Sequence, residues 1–279
     1  MERQVERVQR AGSIDVQITN LSKTYHTRDG AVHALDKVSF NMKAGEFISV
    51  VGPSGCGKST MLLIVAGLIP KSHGKVVVGG VSVDKPYTNL GIVFQDAVLL
   101  DWRKVISNIM LQVEIRGLDK EYYEQRALEL LASMGLEGFE HKYPFELSGG
   151  MKQRVSICRA LIHDPPLLLM DEPFGAIDAL TRDQMNLDLQ RLWMERKKTV
   201  IFVTHSIMES VFLSDRVIVM SPRPGKIDEV IDIELPRPRR LAVRESPKFG
   251  EYARRIRNIF EARGVLSDVK VNSRIGGMD

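Results

Sequence analysis

The chain has 279 residues, of which 44% are hydrophobic and 27% charged, proportions that are typical of globular rather than disordered proteins. Its longest apolar stretches, within residues 61–69 and 167–170, are far shorter than the roughly 20 residues of a membrane-spanning helix. Two cysteines give no disulfide framework, and the charged N-terminus lacks the apolar core of a signal peptide. We therefore expect a cytoplasmic protein that acts at a membrane only through a partner subunit.

Hydrophobic periodicity predicts antiparallel strands first and alternating strands and helices afterwards. Half-buried antiparallel strands are expected over residues 14–18, 38–42 and 46–51. The alternation of strands and helices farther along predicts a parallel α/β sheet. The later elements, in chain order, are a strand pair over 74–83 with a turn at Gly79-Gly80, a strand over 90–95, helical structure over 104–136, a helix over 153–162, a strand over 167–170, a helix over 181–197, a strand over 199–203, a helix over 208–213 and a strand over 216–220.

A phosphate-binding P-loop of the form G-x-x-x-x-G-K-[ST] lies between the third strand and an apolar helical stretch. Its glycines let successive backbone N–H groups converge on phosphate oxygens, and the N-terminus of the following helix favours an anion. Lys58 can reach the β- and γ-phosphates, and the Ser59 hydroxyl can ligate Mg²⁺. The flanking elements argue against a chance lysine in a glycine-rich turn. The predicted nucleotide-binding residues are Gly52, Pro53, Ser54, Gly55, Cys56, Gly57, Lys58, Ser59 and Thr60.

A second phosphate-binding site is predicted at Leu147-Ser-Gly-Gly-Met-Lys-Gln-Arg154, just ahead of a helix. Ser148 is a natural N-cap, and Gly149 and Gly150 expose N–H groups at the positive end of the helix. A plain capped helix is the alternative, but it explains only Ser148. Two phosphate sites on one chain indicate that two chains pair head to tail across their nucleotides.

Two acids follow the short apolar strand over residues 167–170, which has the composition of a strand covered on both faces. Asp171 would place a carboxylate at the Mg²⁺ beside the P-loop, the Walker B role. Glu172 could polarise an attacking water. A structural acid or a helix N-cap is the alternative for Glu172, and its position directly after Asp171 favours the catalytic interpretation.

The C-terminal segment, residues 236–279, carries the positive charge of the chain. It has eleven Lys and Arg against five Asp and Glu, so it contributes +6 to a net charge of +4. Such a segment could bind nucleic acid or anionic lipid, although a solvated helix face is the simpler interpretation. An amphipathic helix, packed on the body rather than on a membrane surface, is predicted from apolar residues at helical spacing, namely Phe249, Tyr252, Ile256, Ile259 and Phe260.

Three of these features resemble, in their order along the chain, the motifs of the ATP-binding cassette (ABC) ATPases: the P-loop, the segment 147–154 and the acids Asp171 and Glu172. The resemblance runs from about residue 14 to the tail. It implies that Tyr25 stacks on adenine and that Gln95 contacts Mg²⁺ or the water and links the site to a transmembrane subunit. It also implies that Asp178 lies in a loop that crosses a dimer interface and that His205 contacts the γ-phosphate.

The implied fold is an α/β P-loop NTPase core with a parallel sheet, an antiparallel β-subdomain, an α-helical subdomain at about 96–160 and a short C-terminal helical tail. The ATPase domain would span residues 14–235, with a basic extension over 236–279. The implied cofactors are ATP and Mg²⁺. The implied site comprises catalytic Glu172, His205, Gln95 and Lys58, metal ligands Ser59, Gln95 and Asp171, and nucleotide contacts from the P-loop, Tyr25, Ser148, Gly149, Gly150 and Asp178.

A finer resemblance, to the nitrate, sulfonate and taurine importers, lies in residues 174–182 and 211–227 and in Tyr143-Pro144. It implies uptake of a small anion. The implied partners are a second copy of the chain, transmembrane permease subunits and, indirectly, a periplasmic solute-binding protein, at the cytoplasmic face of the inner membrane. Two positions depart from the pattern: Asp101, where the group usually has proline, and His163-Asp164, where the family varies widely. The first lies near the expected surface for the membrane partner and leaves the identity of the solute open.

Three classes of protein are alternatives to an importer subunit: a non-transport ABC ATPase of DNA repair or translation, an exporter ATPase and an ATP-dependent regulator. A DNA-repair ABC ATPase would need a coiled-coil insertion, whereas only about fifty residues separate Gln95 from Leu147, and a translation ABC ATPase usually carries two cassettes. Exporter cassettes are often fused to membrane spans, and no apolar stretch of this sequence is long enough to be one, which disfavours an exporter. An ATP-dependent regulator would bind nucleic acid through its basic tail, and that binding would be salt-sensitive and lost on deletion of residues 236–279. We expect no nucleic-acid partner.

Overall fold

The computed structural model describes residues 12–28 and 30–266. Its strands are β1 (Val16–Thr27), β2 (Gly30–Met42), β3 (Phe47–Val51), β4 (His73–Val78), β5 (Val81–Ser82), β6 (Leu90–Val93), β7 (Leu167–Asp171), β8 (Thr199–Thr204), β9 (Arg216–Met220) and β10 (Ile227–Asp232). Its α-helices are α1 (Lys58–Val65), α2 (Val105–Ile109), α3 (Leu111–Arg116), α4 (Lys120–Ser133), α5 (Gly149–Leu161), α6 (Ala179–Arg196), α7 (Ile207–Leu213) and α8 (Pro247–Ala262).

Two sheets organise these elements, which confirms the predicted α/β fold. A four-stranded antiparallel sheet has the order β2-β1-β4-β5. A six-stranded sheet has the order β10-β9-β3-β8-β7-β6, and all its pairings are parallel except the edge pairing of β10 with β9. Helix α1 lies between the two sheets, because its buried side chains share one apolar core with both. Helices α2–α8 cover the other face of the six-stranded sheet.

The prediction of a half-buried antiparallel strand over residues 46–51 is wrong. Strand β3 pairs in parallel with β8 on one side and β9 on the other, and all five of its residues are buried. Even its one polar residue, Ser49, is buried and accepts a hydrogen bond from Ser214. A strand covered on both faces has no solvent side, so its apolar run signals a central parallel strand rather than an edge hairpin.

Element lengths also differ from the sequence predictions. Strands β1 and β2 form a long hairpin whose ladder continues through polar residues to Thr27 and Gly30. The helical stretch expected over 104–136 is divided into three helices. One break follows Gly117, whose left-handed φ of 64° ends α3. Strand β10 has no counterpart among the predicted elements.

The predicted amphipathic helix of the tail is confirmed as α8. Its side chains Phe249, Ile256 and Phe260 are buried against the body. Residues 267–279 of the predicted extension lie outside the described residues. Within residues 12–28 and 30–266, no helix has both the length and the apolar composition needed to cross a membrane.

Candidate functional site

The P-loop connects the buried end of β3 to the first turn of α1, and its glycines are required by its geometry. Gly55 and Gly57 adopt left-handed φ values of 75° and 106°, which favour glycine. A Cβ on Gly57 would lie 2.7 Å from the Ala34 carbonyl oxygen and from Leu35 Cδ2. The loop therefore packs against β2 with no room for a side chain, and its backbone N–H groups are held at the N-terminus of α1.

Lys58 folds back over this loop. Its Nζ donates hydrogen bonds to the carbonyl oxygens of Gly52 (2.9 Å) and Pro53 (3.1 Å) and lies 3.7 Å from Glu172 Oε1. Only 4% of the residue is exposed. Cys56, in the same loop, is also buried, and burial raises the pKa of its thiol. The loop thus presents a cation and no reactive thiolate.

A cleft of about 460 Å³ opens beside the P-loop. The predicted adenine contact Tyr25 lies in its wall with 36% of its surface exposed, and its hydroxyl is 3.3 Å from Thr60 Oγ1. The structure thus brings together Tyr25, the P-loop, Gln95 and Glu172, which are far apart in the sequence. The cleft is lined by Tyr25, Val32, Ala34, Ser54, Gly55, Gly57, Lys58, Ser59, Thr60, Gln95, Glu172 and Arg223.

Strand β7 places two carboxylates at the edge of the cleft. Ser59 Oγ donates a hydrogen bond of 2.9 Å to Asp171 Oδ1. Burial raises the pKa of Asp171, while the bond from Ser59 opposes that shift. The Ser59 hydroxyl and the Asp171 carboxylate, 2.9 Å apart beside the P-loop, are both oxygen ligands of the kind that Mg²⁺ prefers.

Glu172 occupies an unusual backbone position and contacts His205. Its φ is 45°, a left-handed value that side-chain-bearing residues rarely adopt, and its N–H donates to the Val203 carbonyl at 2.8 Å. Its Oε2 lies 3.0 Å from His205 Nδ1. A Cβ on Gly175 would lie 3.7 Å from Gln95 Nε2 and 3.8 Å from His205 Cε1. Gln95, Glu172 and His205 therefore converge around Gly175.

The remaining predicted site residues form a second group outside the cleft. Ser148 caps α5 and accepts a hydrogen bond of 3.3 Å from the Met151 amide. Asp178 caps α6, and the hydrogen bond that it accepts from the Thr181 amide (3.0 Å) lowers its pKa. Gly150 packs beside this cap, since an added Cβ would meet Thr181 Cγ2 at 2.8 Å. Ser148, Gly149, Gly150 and Asp178 are absent from the residues that line the cleft of the described chain.

Several residues at the site were not anticipated from the sequence. Arg223 lines the cleft although it comes from the β9–β10 hairpin, and Gly175 is surrounded by the converging side chains. Gln153 Nε2 donates to the Phe94 carbonyl at 2.9 Å and so fixes the backbone next to Gln95. Each lies in a segment that carries the family resemblance, Gln153 in 147–154, Gly175 in 174–182 and Arg223 in 211–227, but the resemblance assigns none of the three a role. Nothing local indicates which hairpin meets the cleft.

Comparisons with known proteins agree with this geometry. The sequence profile of the family described as "ABC transporter" matches residues 35–175. An uncharacterized ABC transporter ATP-binding protein of Methanocaldococcus jannaschii is 45% identical over 257 residues, which cover 92% of this chain and 95% of that protein. An aliphatic sulfonates import ATP-binding protein of Bacillus cereus is 42% identical over 90% of this chain and 98% of its own length. A taurine import ATP-binding protein of Rhizobium johnstonii is 44% identical over 88% and 97%.

Two solved structures are similar to this chain in fold and sequence. One is the dimeric structure of a bacterial ABC transporter cassette, and the other is a dimeric post-hydrolysis state of that cassette bound to ADP and Pi. Each aligns with a TM-score of 0.71 at 33% identity and covers 79% of this chain and 99% of the cassette.

Proposed function

Because this chain belongs to the ABC transporter family, we propose that it is the ATP-hydrolysing subunit of an importer for a small anion, with sulfonates and taurine as the first solutes to test and nitrate as the next. The observation that carries this proposal is the 42–44% identity, along almost the whole chain, to import ATP-binding proteins for aliphatic sulfonates and for taurine. The cleft beside the P-loop supplies the chemistry that such a subunit needs.

The cleft fits a nucleoside triphosphate. The amides of the P-loop and the N-terminus of α1 receive the phosphates, Lys58 supplies positive charge, and the half-exposed Tyr25 ring offers a stacking surface for adenine. Ser59, Asp171 and Gln95 fit Mg²⁺, because the first two place oxygen donors 2.9 Å apart and Gln95 lines the same cleft. Mg²⁺ bound there would neutralise phosphate charge.

Hydrolysis needs a group that orients the attacking water and accepts its proton. Glu172 supplies this carboxylate at the cleft, and its contact with His205 holds it in one orientation. Lys58, 3.7 Å away, holds the same carboxylate from the other side of the P-loop. His205 and Gln95, whose side chains lie beside Glu172, would contact and position the terminal phosphate.

The second group of residues acts on a different chain. Ser148, Gly149 and Gly150 at the start of α5, with the Asp178 cap, are offered to a nucleotide held by a second copy, in a head-to-tail homodimer. The dimeric cassettes among the similar structures support this arrangement.

The domain would comprise residues 14–235, with residues 96–160 as the helical subdomain that docks on transmembrane permease subunits at the cytoplasmic face of the inner membrane. A periplasmic solute-binding protein would deliver the solute.

Uptake measurements in the host organism test this function. Deleting the gene for this chain should abolish ATP-dependent uptake of labelled taurine, an alkanesulfonate or nitrate, and the wild-type gene should restore it. The Glu172→Gln gene serves as a matched control, because its product should assemble but fail to restore uptake. Uptake of all three solutes at the wild-type rate in the deletion strain would refute the proposed substrate class.

A further inference from the structure

Residues 221–226 form a tight hairpin between β9 and β10 that is pressed against the P-loop. The Gly225 N–H donates to the Ala34 carbonyl at 3.0 Å, and the Gly225 carbonyl accepts from the Asp36 N–H at 3.0 Å. A Cβ on Gly225 would lie 2.1 Å from the carbonyl oxygen of Cys56. Ser221 Oγ closes the hairpin by accepting from the Lys226 N–H at 3.0 Å. The hairpin is therefore held in place beside the cleft by contacts within the chain.

Arg223 lies in this hairpin and lines the cleft together with Tyr25 and Ser54. Its side chain is exposed. Among residues 12–28 and 30–266, none accepts a hydrogen bond or forms an ion pair with its guanidinium, whereas the neighbouring Lys226 Nζ lies 2.9 Å from Asp36 Oδ2. The fixed hairpin thus presents a cation to the cleft with its hydrogen-bond donors available.

The charge of the cleft indicates what this cation would meet. Of the lining residues in the described chain, two are cationic, Lys58 and Arg223. Lys58 already donates to two backbone carbonyls and lies near Glu172, so part of its charge is compensated within the protein. A guanidinium has a planar fork of donors that matches phosphate oxygens, and it stays charged at any physiological pH.

We propose that Arg223 is a further nucleotide-binding residue, which donates hydrogen bonds to the phosphate chain of the bound nucleotide. This inference rests on the proposed function, because it assumes that the cleft holds a nucleoside triphosphate. Arg223 acts on binding rather than on the chemical step, since the catalytic carboxylate Glu172 is held by other residues, Lys58 and His205.

Nucleotide titrations of the purified full chain test this assignment. Arg223→Ala should raise the Kd for ATP about tenfold, the size expected for one charged hydrogen bond at a partly solvated site, and raise KM with little change in kcat. Arg223→Lys should retain most of the affinity because it keeps the charge. Tripolyphosphate, which has no base, should lose affinity for Arg223→Ala by the same factor. Arg257→Ala, on the exposed face of α8, is the matched control.

Two outcomes would overturn the role of Arg223, and a third would overturn the nucleotide site itself. A wild-type Kd for ATP in Arg223→Ala overturns the proposal. The proposal is also overturned if Arg223→Ala loses affinity for ATP but not for tripolyphosphate, and Arg223→Lys does not restore the affinity for ATP. That result would mean that the guanidinium contacts the base rather than the phosphates. Lys58→Ala, with thermal melting to verify folding, tests the cleft itself. If the folded Lys58→Ala variant binds ATP like wild type, the proposed nucleotide site fails, not only the role of Arg223.

Discussion

Glu172 combines a strained backbone conformation with the proposed role of catalytic base. A left-handed φ in a residue that bears a side chain costs about 1–3 kcal/mol, so the surroundings must hold it there. The hydrogen bond from its N–H to the Val203 carbonyl and the contact of its carboxylate with His205 do so. Its position after Asp171 suggests the proposed chemical role from sequence, but its backbone geometry follows only from the pairing of β7 with β8.

The carboxylate of Glu172 is the group that this account makes indispensable. Glu172→Gln should bind ATP with affinity close to wild type, because the amide preserves the shape of the side chain, and it should accumulate as an ATP-bound dimer. Its hydrolysis rate should fall at least about a hundredfold, since an amide cannot accept the proton from water. Steady-state phosphate release and size-exclusion chromatography with ATP measure both effects. Wild-type turnover in this variant would remove Glu172 from the role of base.

At the scale of elements, the site exists because parallel strands end at one edge of the sheet. β3 leads into the P-loop, β7 into Asp171 and Glu172, and β8 into His205. In parallel sheets, ligands bind at the carboxyl ends of the strands, so residues distant in sequence meet there. The order of motifs and strands along the sequence therefore predicts most of the cleft.

What the sequence does not predict depends on contacts between distant elements. The run over 46–51 signals a strand but not its two parallel neighbours, and the helical stretch over 104–136 does not show where packing divides it. The position of Arg223 is not predicted for the same reason, because its hairpin contacts Cys56 and Ala34, which lie 169 and 191 positions before Gly225 in the sequence.

Helix α5 joins the two groups of site residues within one chain. It begins at the Ser148 cap, and one turn later Gln153 donates to the Phe94 carbonyl next to Gln95. Farther along, Arg159 donates to the carbonyls of Ala97 and Val98 at 2.8 Å each. These hydrogen bonds fasten the backbone on both sides of Gln95 to α5.

Removal of this link should impair turnover more than binding. Gln153→Ala leaves the partly buried Phe94 carbonyl without its donor, which should lower the free energy of unfolding by about 0.5–1.5 kcal/mol. Loss of the fixed position of Gln95 should lower kcat about ten- to a hundredfold with little change in the Kd for ATP. Glu129→Ala, on the exposed face of α4 and outside the predicted site residues, is the control. A kcat for Gln153→Ala equal to that of the control would show that this bond has no part in catalysis.

At the scale of the whole molecule, much of the basic charge in the described part of the tail is compensated internally. Arg237 pairs with Asp215 (2.9 Å), Arg255 with Glu229 and Arg263 with Asp228. Arg239 is 2% exposed and donates to backbone carbonyls around the end of α7, including that of Ser214 at 2.8 Å. These contacts hold the segment against the body of the protein. They favour a structural role for the tail over the nucleic-acid binding that a regulator would require.

We propose that one chain contributes only half of each hydrolytic site. The P-loop cleft would hold one half, and the group around Ser148 and Asp178, which lies apart from the cleft, would supply the other half to a second chain. Mixing two inactive variants tests this proposal. Lys58→Ala removes the nucleotide-binding half, and Ser148→Arg removes the half offered to the partner, so each variant alone should be inactive.

In a mixture of the two variants, a heterodimer carries one site with both defects and one intact site. Phosphate release per chain should therefore recover to about a quarter of the wild-type rate, the share of intact sites expected from random pairing in an equal mixture. If both halves of the site belonged to the same chain, every site would keep a defect. An inactive mixture in which heterodimers are verified by differential tagging would contradict the account.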